Sequence, residues 1–139
     1  MSAERILLVD DVPSILFAMK MYLMAEGYEV NCAQDLEEAK SLAAKNDYEV
    51  VISDLRLTGS DNMEGLDLID FVREQRLPAK IIILTAYGFP EIEREAIGRG
   101  ADAFLRKPKP LPELARVVSE LLHDGSASRG LSDRALCEI

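Results

Sequence analysis

The sequence predicts an α/β fold: a doubly wound, five-stranded parallel sheet in the order 2-1-3-4-5, with helices on both faces. Three observations carry that expectation. Short apolar runs alternate with longer helical patterns along most of the chain. The middle runs, VVIS and IIIL, are apolar nearly throughout, as strands covered on both faces must be. Proline and glycine punctuate the helical stretches at their starts and ends.

The elements follow in order. The run RILLV at 5–9 reads as the first strand and delivers the chain to Asp10 and Asp11. Pro13 then stands at the first position of a helix, where its missing N–H costs nothing, and Gly27 follows the end of that helix. This helix carries two apolar stripes, Ile15, Met19 and Leu23 on one side and Phe17, Met21 and Met24 on another. A surface helix needs one. The surplus either widens the buried face, lies under the C-terminal residues Leu131, Leu136 and Ile139, or docks a partner's helix, for which methionine is well suited. YEVNC at 28–32 and YEVVIS at 48–53 are the second and third strands, the third ending at Asp54. AKIIILT at 79–85 is the fourth, ending in Thr85; Pro90 opens the helix after it and Gly100 closes that helix. ADAFL at 101–105 is the fifth, followed by Lys107 and Pro108. Right-handed crossovers between parallel strands then place strands one and three in the interior of the sheet. Residues 1–122 form the domain, and the Gly/Ser-rich stretch 123–139 reads as a tail or linker.

Composition bounds the function. A chain of 139 residues, 48% hydrophobic and 29% charged, holds one well-buried core. Its net charge of −9 argues against direct binding to nucleic acid or an anionic membrane. Cys32 and Cys137, far apart and without C-x-x-C spacing, indicate neither a disulfide framework nor a zinc site, so a reducing cytoplasm is expected. Neither a signal peptide nor a membrane span is read. The single histidine, His123, leaves chemistry to carboxylates, lysine and threonine.

In this architecture ligands bind beyond the carboxyl ends of the strands. Asp10 and Asp11 follow the first strand and Asp54 follows the third, its neighbour. Three converging carboxylates call for a hard cation, and Mg²⁺, which completes its shell with phosphate oxygen, fits best. Thr85 can bond a phosphoryl oxygen and Lys107 can pair with its charge. Taken singly, Asp11 reads as a helix-capping carboxylate, Asp54 as a turn residue, Thr85 as a loop cap and Lys107 as a solvated charge. Their conjunction on one sheet edge favours phosphoryl transfer.

The segments VDDVPS, SDLRLTG, LTAY and FLRKP, in this order and spacing, resemble the signatures of receiver domains of two-component response regulators, over residues 4–122. The resemblance implies a flavodoxin-like (βα)5 sandwich and a signalling switch rather than a metabolic enzyme. Such a switch catalyses only its own phosphorylation and slow dephosphorylation. Carried over, Asp54 is the phosphoacceptor; Asp10, Asp11, Asp54 and the backbone carbonyl of Arg56 hold Mg²⁺; Thr85 and Lys107 sense the phosphoryl group; and Phe104 is the switch residue. The Lys107–Pro108 bond is expected to be cis. The implied partners are a sensor histidine kinase or phosphotransfer protein, and a downstream protein or an output domain absent from this chain. Homodimerisation through the fourth and fifth helices is a family habit.

The sequence departs from the pattern where Thr58 replaces a customary proline and where residues 60–64 look lengthened. Lys109 stands where an apolar residue is common and reads as a solvated loop charge. Arg56 and Tyr87 flank the line of attack with bulk and no carboxylate or amide, so neither orients a hydrolytic water well, and a long-lived phosphoryl group is expected. Asp54-Leu55-Arg56-Leu57-Thr58 comes near the D-x-D-x-T signature of haloacid-dehalogenase-like phosphatases, but Arg56 replaces the second carboxylate such enzymes use as acid and base. An FMN module would need a Ser/Thr/Gly-rich first loop, which DVPS is not. A receiver-fold scaffold that binds partners without phosphorylation remains the alternative.

Overall fold

The computed structural model describes residues 3–57, 63–86, 88–123 and 131–132, the last two by backbone alone. Thr58, Ser60, Asp61, Asn62, Tyr87, Leu136 and Ile139, singled out above, lie outside the described residues.

The strands are β1 (Arg5–Val9), β2 (Glu29–Ala33), β3 (Val50–Ser53), β4 (Lys80–Thr85) and β5 (Ala103–Arg106); the helices between and after them are α1 (Pro13–Ala25), α2 (Leu36–Lys45), α3 (Glu64–Glu74), α4 (Pro90–Arg99) and α5 (Leu111–His123). They pair in parallel in the expected order β2-β1-β3-β4-β5. Each strand's alternation divides its apolar residues between two cores. Leu7, Val9, Val51, Ile81, Ile83 and Phe104 face α2, α3 and α4, while Ile6, Leu8, Val50, Ile52, Ile82 and Leu105 face α1 and α5. Because both faces are covered, β3 is buried at every residue and reads as a continuous apolar run.

The sheet does not stop at five strands. Leu131 and Ser132 form β6, parallel to β5 and in register with Ala103 and Phe104. The region expected to be only tail or linker thus adds a short ladder. β5 is otherwise an edge, whose outer row of backbone donors and acceptors is a ready template for another strand.

Helix ends follow local chemistry. Pro13 occupies the first turn of α1 after Val12, and Val12 N donates to Asp10 Oδ1 at 2.9 Å, so Asp10 and not Asp11 serves the start of this helix. Asp35 caps α2 by accepting from Glu38 N at 2.8 Å, while the Glu38 carboxylate accepts from Gln34 N at 2.9 Å. Gly100 ends α4 at φ 123°, a conformation that side chains resist. On α1 the buried stripe is Leu16, Met19 and Leu23, with Ile15 at its margin; Phe17 (66% exposed), Met21 and Met24 face outward. The second stripe therefore does not widen the core. Nor is it the seat of Leu131, whose backbone lies against β5.

Opposite the carboxyl ends of the strands a buried ion pair closes the fold. Arg73 of α3 donates to the carbonyls of Gly100 and Ala79, each at 2.8 Å, and to Asp102 Oδ2 at 2.8 Å. Asp102 accepts also from Ile81 N at 2.8 Å. Every donor given to this buried carboxylate offsets the cost of taking it out of water, and the loops before β4 and β5 are pinned together.

Candidate functional site

β1 and β3 are adjacent and in register, so the residues just beyond them emerge side by side. Asp54 N continues the ladder by donating to Val9 O at 3.0 Å, and Asp10 N donates to Ala33 O at 3.1 Å, which fixes both backbones. Their carboxylates meet at one cation. Lys107 Nζ donates to Asp10 Oδ2 at 2.6 Å and to Asp54 Oδ2 at 2.9 Å. The other Asp54 oxygen accepts from Leu55 N at 2.7 Å, so both of its oxygens are held. Lys107 is aimed from the end of β5, where its own N–H donates to Thr85 O at 2.9 Å, and the Lys107–Pro108 bond is cis as expected.

Burial sets the electrostatics. Asp10 is 1% and Asp54 8% exposed. Burial by itself would push the Lys107 ammonium down, but its hydrogen bonds to Asp10 and Asp54 and their negative charges outweigh this, and its pKa lies above the ordinary 10.5. The lysine is therefore charged wherever the carboxylates are. The Asp54 carboxylate is held by a backbone N–H and an ammonium, with the buried residue Thr85 at the end of the next strand but one from β1.

The expected three-carboxylate cluster is assembled only in part. Asp10 and Asp54 come together, whereas Asp11 stays half-buried at the rim, and among the described residues no three acidic, histidine or cysteine side chains gather into a cation site. The chemistry of the donors still fits a hard divalent cation, since Asp10 and Asp54 bring two anionic carboxylates together at the same strand ends. Phe104 is fully buried among the residues facing α3 and α4. Arg56 is half-buried. Lys109 is not the solvated charge expected. Its side chain is only 14% exposed and pairs with Glu113 Oε2 at 3.5 Å, one helical turn on.

Other residues shape the site without having stood out. Ser53, buried, donates its hydroxyl to Asp54 O at 2.8 Å. Gly65, in the first turn of α3, donates its N–H to Leu55 O at 2.8 Å; a Cβ there would lie 2.8 Å from Leu55 Cα and closer still to the Asp54 carbonyl oxygen. Its only signal in the sequence was a glycine inside a helical pattern. Arg106, beside Lys107, reaches Gly88 and Glu93, and no spacing rule pointed to it.

The response regulator receiver domain family model matches residues 6–119. The chain is 35% identical over 120 residues to the transcriptional regulatory protein SrrA of Staphylococcus aureus, covering 86% of this chain and 48% of SrrA. Among solved structures, the chemotaxis protein CheY4 of Vibrio cholerae superposes with a TM-score of 0.80 at 32% identity, over 87% of this chain and 100% of that one. The response regulator TrrA of Thermotoga maritima, solved in complex with Mg²⁺-BeF, superposes with a TM-score of 0.75 at 35% identity, over 86% of this chain and 99% of that one. With this fold, these strand-end residues and this match over most of its length, the chain belongs to the response regulator receiver domains of two-component signalling. It spans about half or less of the length of the curated relatives it matches. No helix among the described residues is long and apolar enough to cross a membrane.

Proposed function

We propose that this chain is a phosphorylation-dependent switch: it accepts a phosphoryl group on Asp54 from a sensor histidine kinase or phosphotransfer protein in the cytoplasm. The observation that carries this reading is Lys107 Nζ bridging Asp10 Oδ2 and Asp54 Oδ2. A carboxylate oxygen of Asp54 attacks the phosphorus of a phosphohistidine; the new O–P bond forms as the P–N bond breaks, and the imidazole nitrogen keeps the electron pair. Lys107, already within bonding distance of the acceptor oxygen, pairs with the transferred charge. The Thr85 hydroxyl turns toward the phosphoryl oxygens, and Phe104 follows in the same core. Asp10 and Asp54, with Asp11 and the Arg56 carbonyl, are the residues that would hold Mg²⁺, which when bound neutralises charge on the phosphoryl group. Likeness to a receiver solved with Mg²⁺-BeF supports that choice of metal. Arg56 and Tyr87 leave hydrolysis slow.

The donor docks on the exposed α1 residues Phe17, Met21 and Met24. The changed α4, β5 and α5 surface is read by a downstream protein, by an output domain beyond this chain, or by a second copy. The test is intact mass after incubating wild type and Asp54→Asn with acetyl phosphate and Mg²⁺. A phosphoryl increment on the wild type alone is expected. A folded wild type that gains none would instead be a scaffold that binds partners without phosphorylation.

A further inference from the structure

We propose that Arg106 is a positioning residue, a latch that ties the end of β5 to the connection between β4 and α4 and holds α4 in its resting arrangement. Arg106 stands opposite Thr85 in the β4–β5 ladder. Strand alternation puts its side chain on the same face as Phe104, toward α4. Arg106 Nε donates to Gly88 O at 2.8 Å, and its guanidinium pairs at 3.4 Å with Glu93, a buried carboxylate in the first turn of α4. Gly88 lies directly on the stem of this arginine: a Cβ there would come within 2.8 Å of Arg106 Cγ. One side chain thus grips the chain three residues after Thr85 and the helix that follows.

The inference rests on Asp54 being the phosphoacceptor. In the arrangement seen, both Asp54 oxygens are bonded as a carboxylate, to Lys107 and to Leu55 N, and Phe104 is at the same time 0% exposed. Beside Phe104, at the seam of α4 and β5, Arg106 supplies a polar contact that a movement of the chain after Thr85 would strain. If the Thr85 hydroxyl moves toward a phosphoryl group, the chain after it draws Gly88 away from the guanidinium. The latch then belongs to the resting form alone, and its loss shifts the population toward the activated one.

The experiment titrates the full chain with beryllofluoride in Mg²⁺, following backbone amide resonances of α4, for wild type, Arg106→Ala, Arg106→Lys and Gly88→Ala, with a thermal melt of each. Arg106→Ala should bind about tenfold tighter or more, the scale of one charge-assisted hydrogen bond lost from the resting form. Its α4 resonances should already be displaced toward the ligand-bound positions. Arg106→Lys, which keeps the charge but not the fork, should fall between. Gly88→Ala, which lifts the loop while every charge remains, should act in the same direction should Arg106→Ala fail to fold. Unchanged or weaker affinity in folded variants, whatever their melting temperature, overturns the latch. A wild type that does not bind at all overturns the reading of Asp54, and the latch with it.

Discussion

At Gly65 the backbone of α3 comes so close to Asp54 that the smallest side chain would press on that residue's own carbonyl. The atoms in the way are backbone, which cannot swing aside, so Gly65→Ala should shift Asp54 by a fraction of an ångström. We expect phosphorylation by acetyl phosphate to slow by about tenfold or more, since small misplacements of reacting groups are that costly. Rates of intact-mass gain check it, with circular dichroism showing that the fold is kept. This glycine also marks where the sequence stops being readable. Asp10, Asp54, Thr85 and Lys107 were legible because each ends an apolar run and carries a group suited to phosphate. Gly65, Ser53 and Arg106 act through distances across the fold, and such approaches leave no spacing in the chain. Lys109 failed for a different reason: its i,i+4 spacing to Glu113 is local, but Lys109 precedes Leu111, where α5 begins, so the spacing alone did not announce a pair.

Among the elements, α1 is the one whose pattern carried more than folding required. Leu16, Met19 and Leu23 supply its buried contact, leaving Phe17, Met21 and Met24 with no packing duty. Phe17→Asp should therefore change unfolding free energy by only about 0.5 kcal/mol. Phosphoryl transfer from the cognate phosphohistidine donor should fall about tenfold or more, as when an exposed aromatic anchor is lost from an interface. Phosphorylation by acetyl phosphate, which needs no docking, should stay the same, and comparing the two donors is the measurement. The five main strands were legible to within a residue or two because apolar runs bounded by turn residues specify them. β6 was not, because its two residues pair only on account of the edge that β5 presents, and nothing in a Gly/Ser-rich stretch announces an edge elsewhere.

For the molecule as a whole, pH acts on groups whose protonated forms the fold prefers. Burial pushes the phenols of Tyr28 and Tyr48 above the ordinary 10.0, for Tyr28 with help from Glu4 and Glu26 and for Tyr48 against the pull of Arg5. Lys107 lies above its ordinary 10.5 despite its burial, through Asp10 and Asp54. In each case the folded value exceeds the unfolded one, so the stability these groups contribute is fully present below the unfolded values and is lost as pH rises through the folded ones. Denaturant midpoints should fall steeply above about pH 10 by this linkage. Tyr48→Phe should blunt the fall, and absorbance of ionised tyrosine followed in parallel checks the assignment.

The two separate cores have a consequence for how such a chain diversifies. Phe104 lies in one and Leu105, its neighbour in β5, in the other, so the sheet stands as a wall between the side that carries α1 and the side that carries α4. If the donor docks on α1, substitutions that retune its recognition fall on the side shared with α5, and α4 lies on the other. A duplicated copy can then acquire a new upstream partner one surface residue at a time while its α4 face is inherited unaltered, which keeps parallel signalling lines from crossing as their number grows.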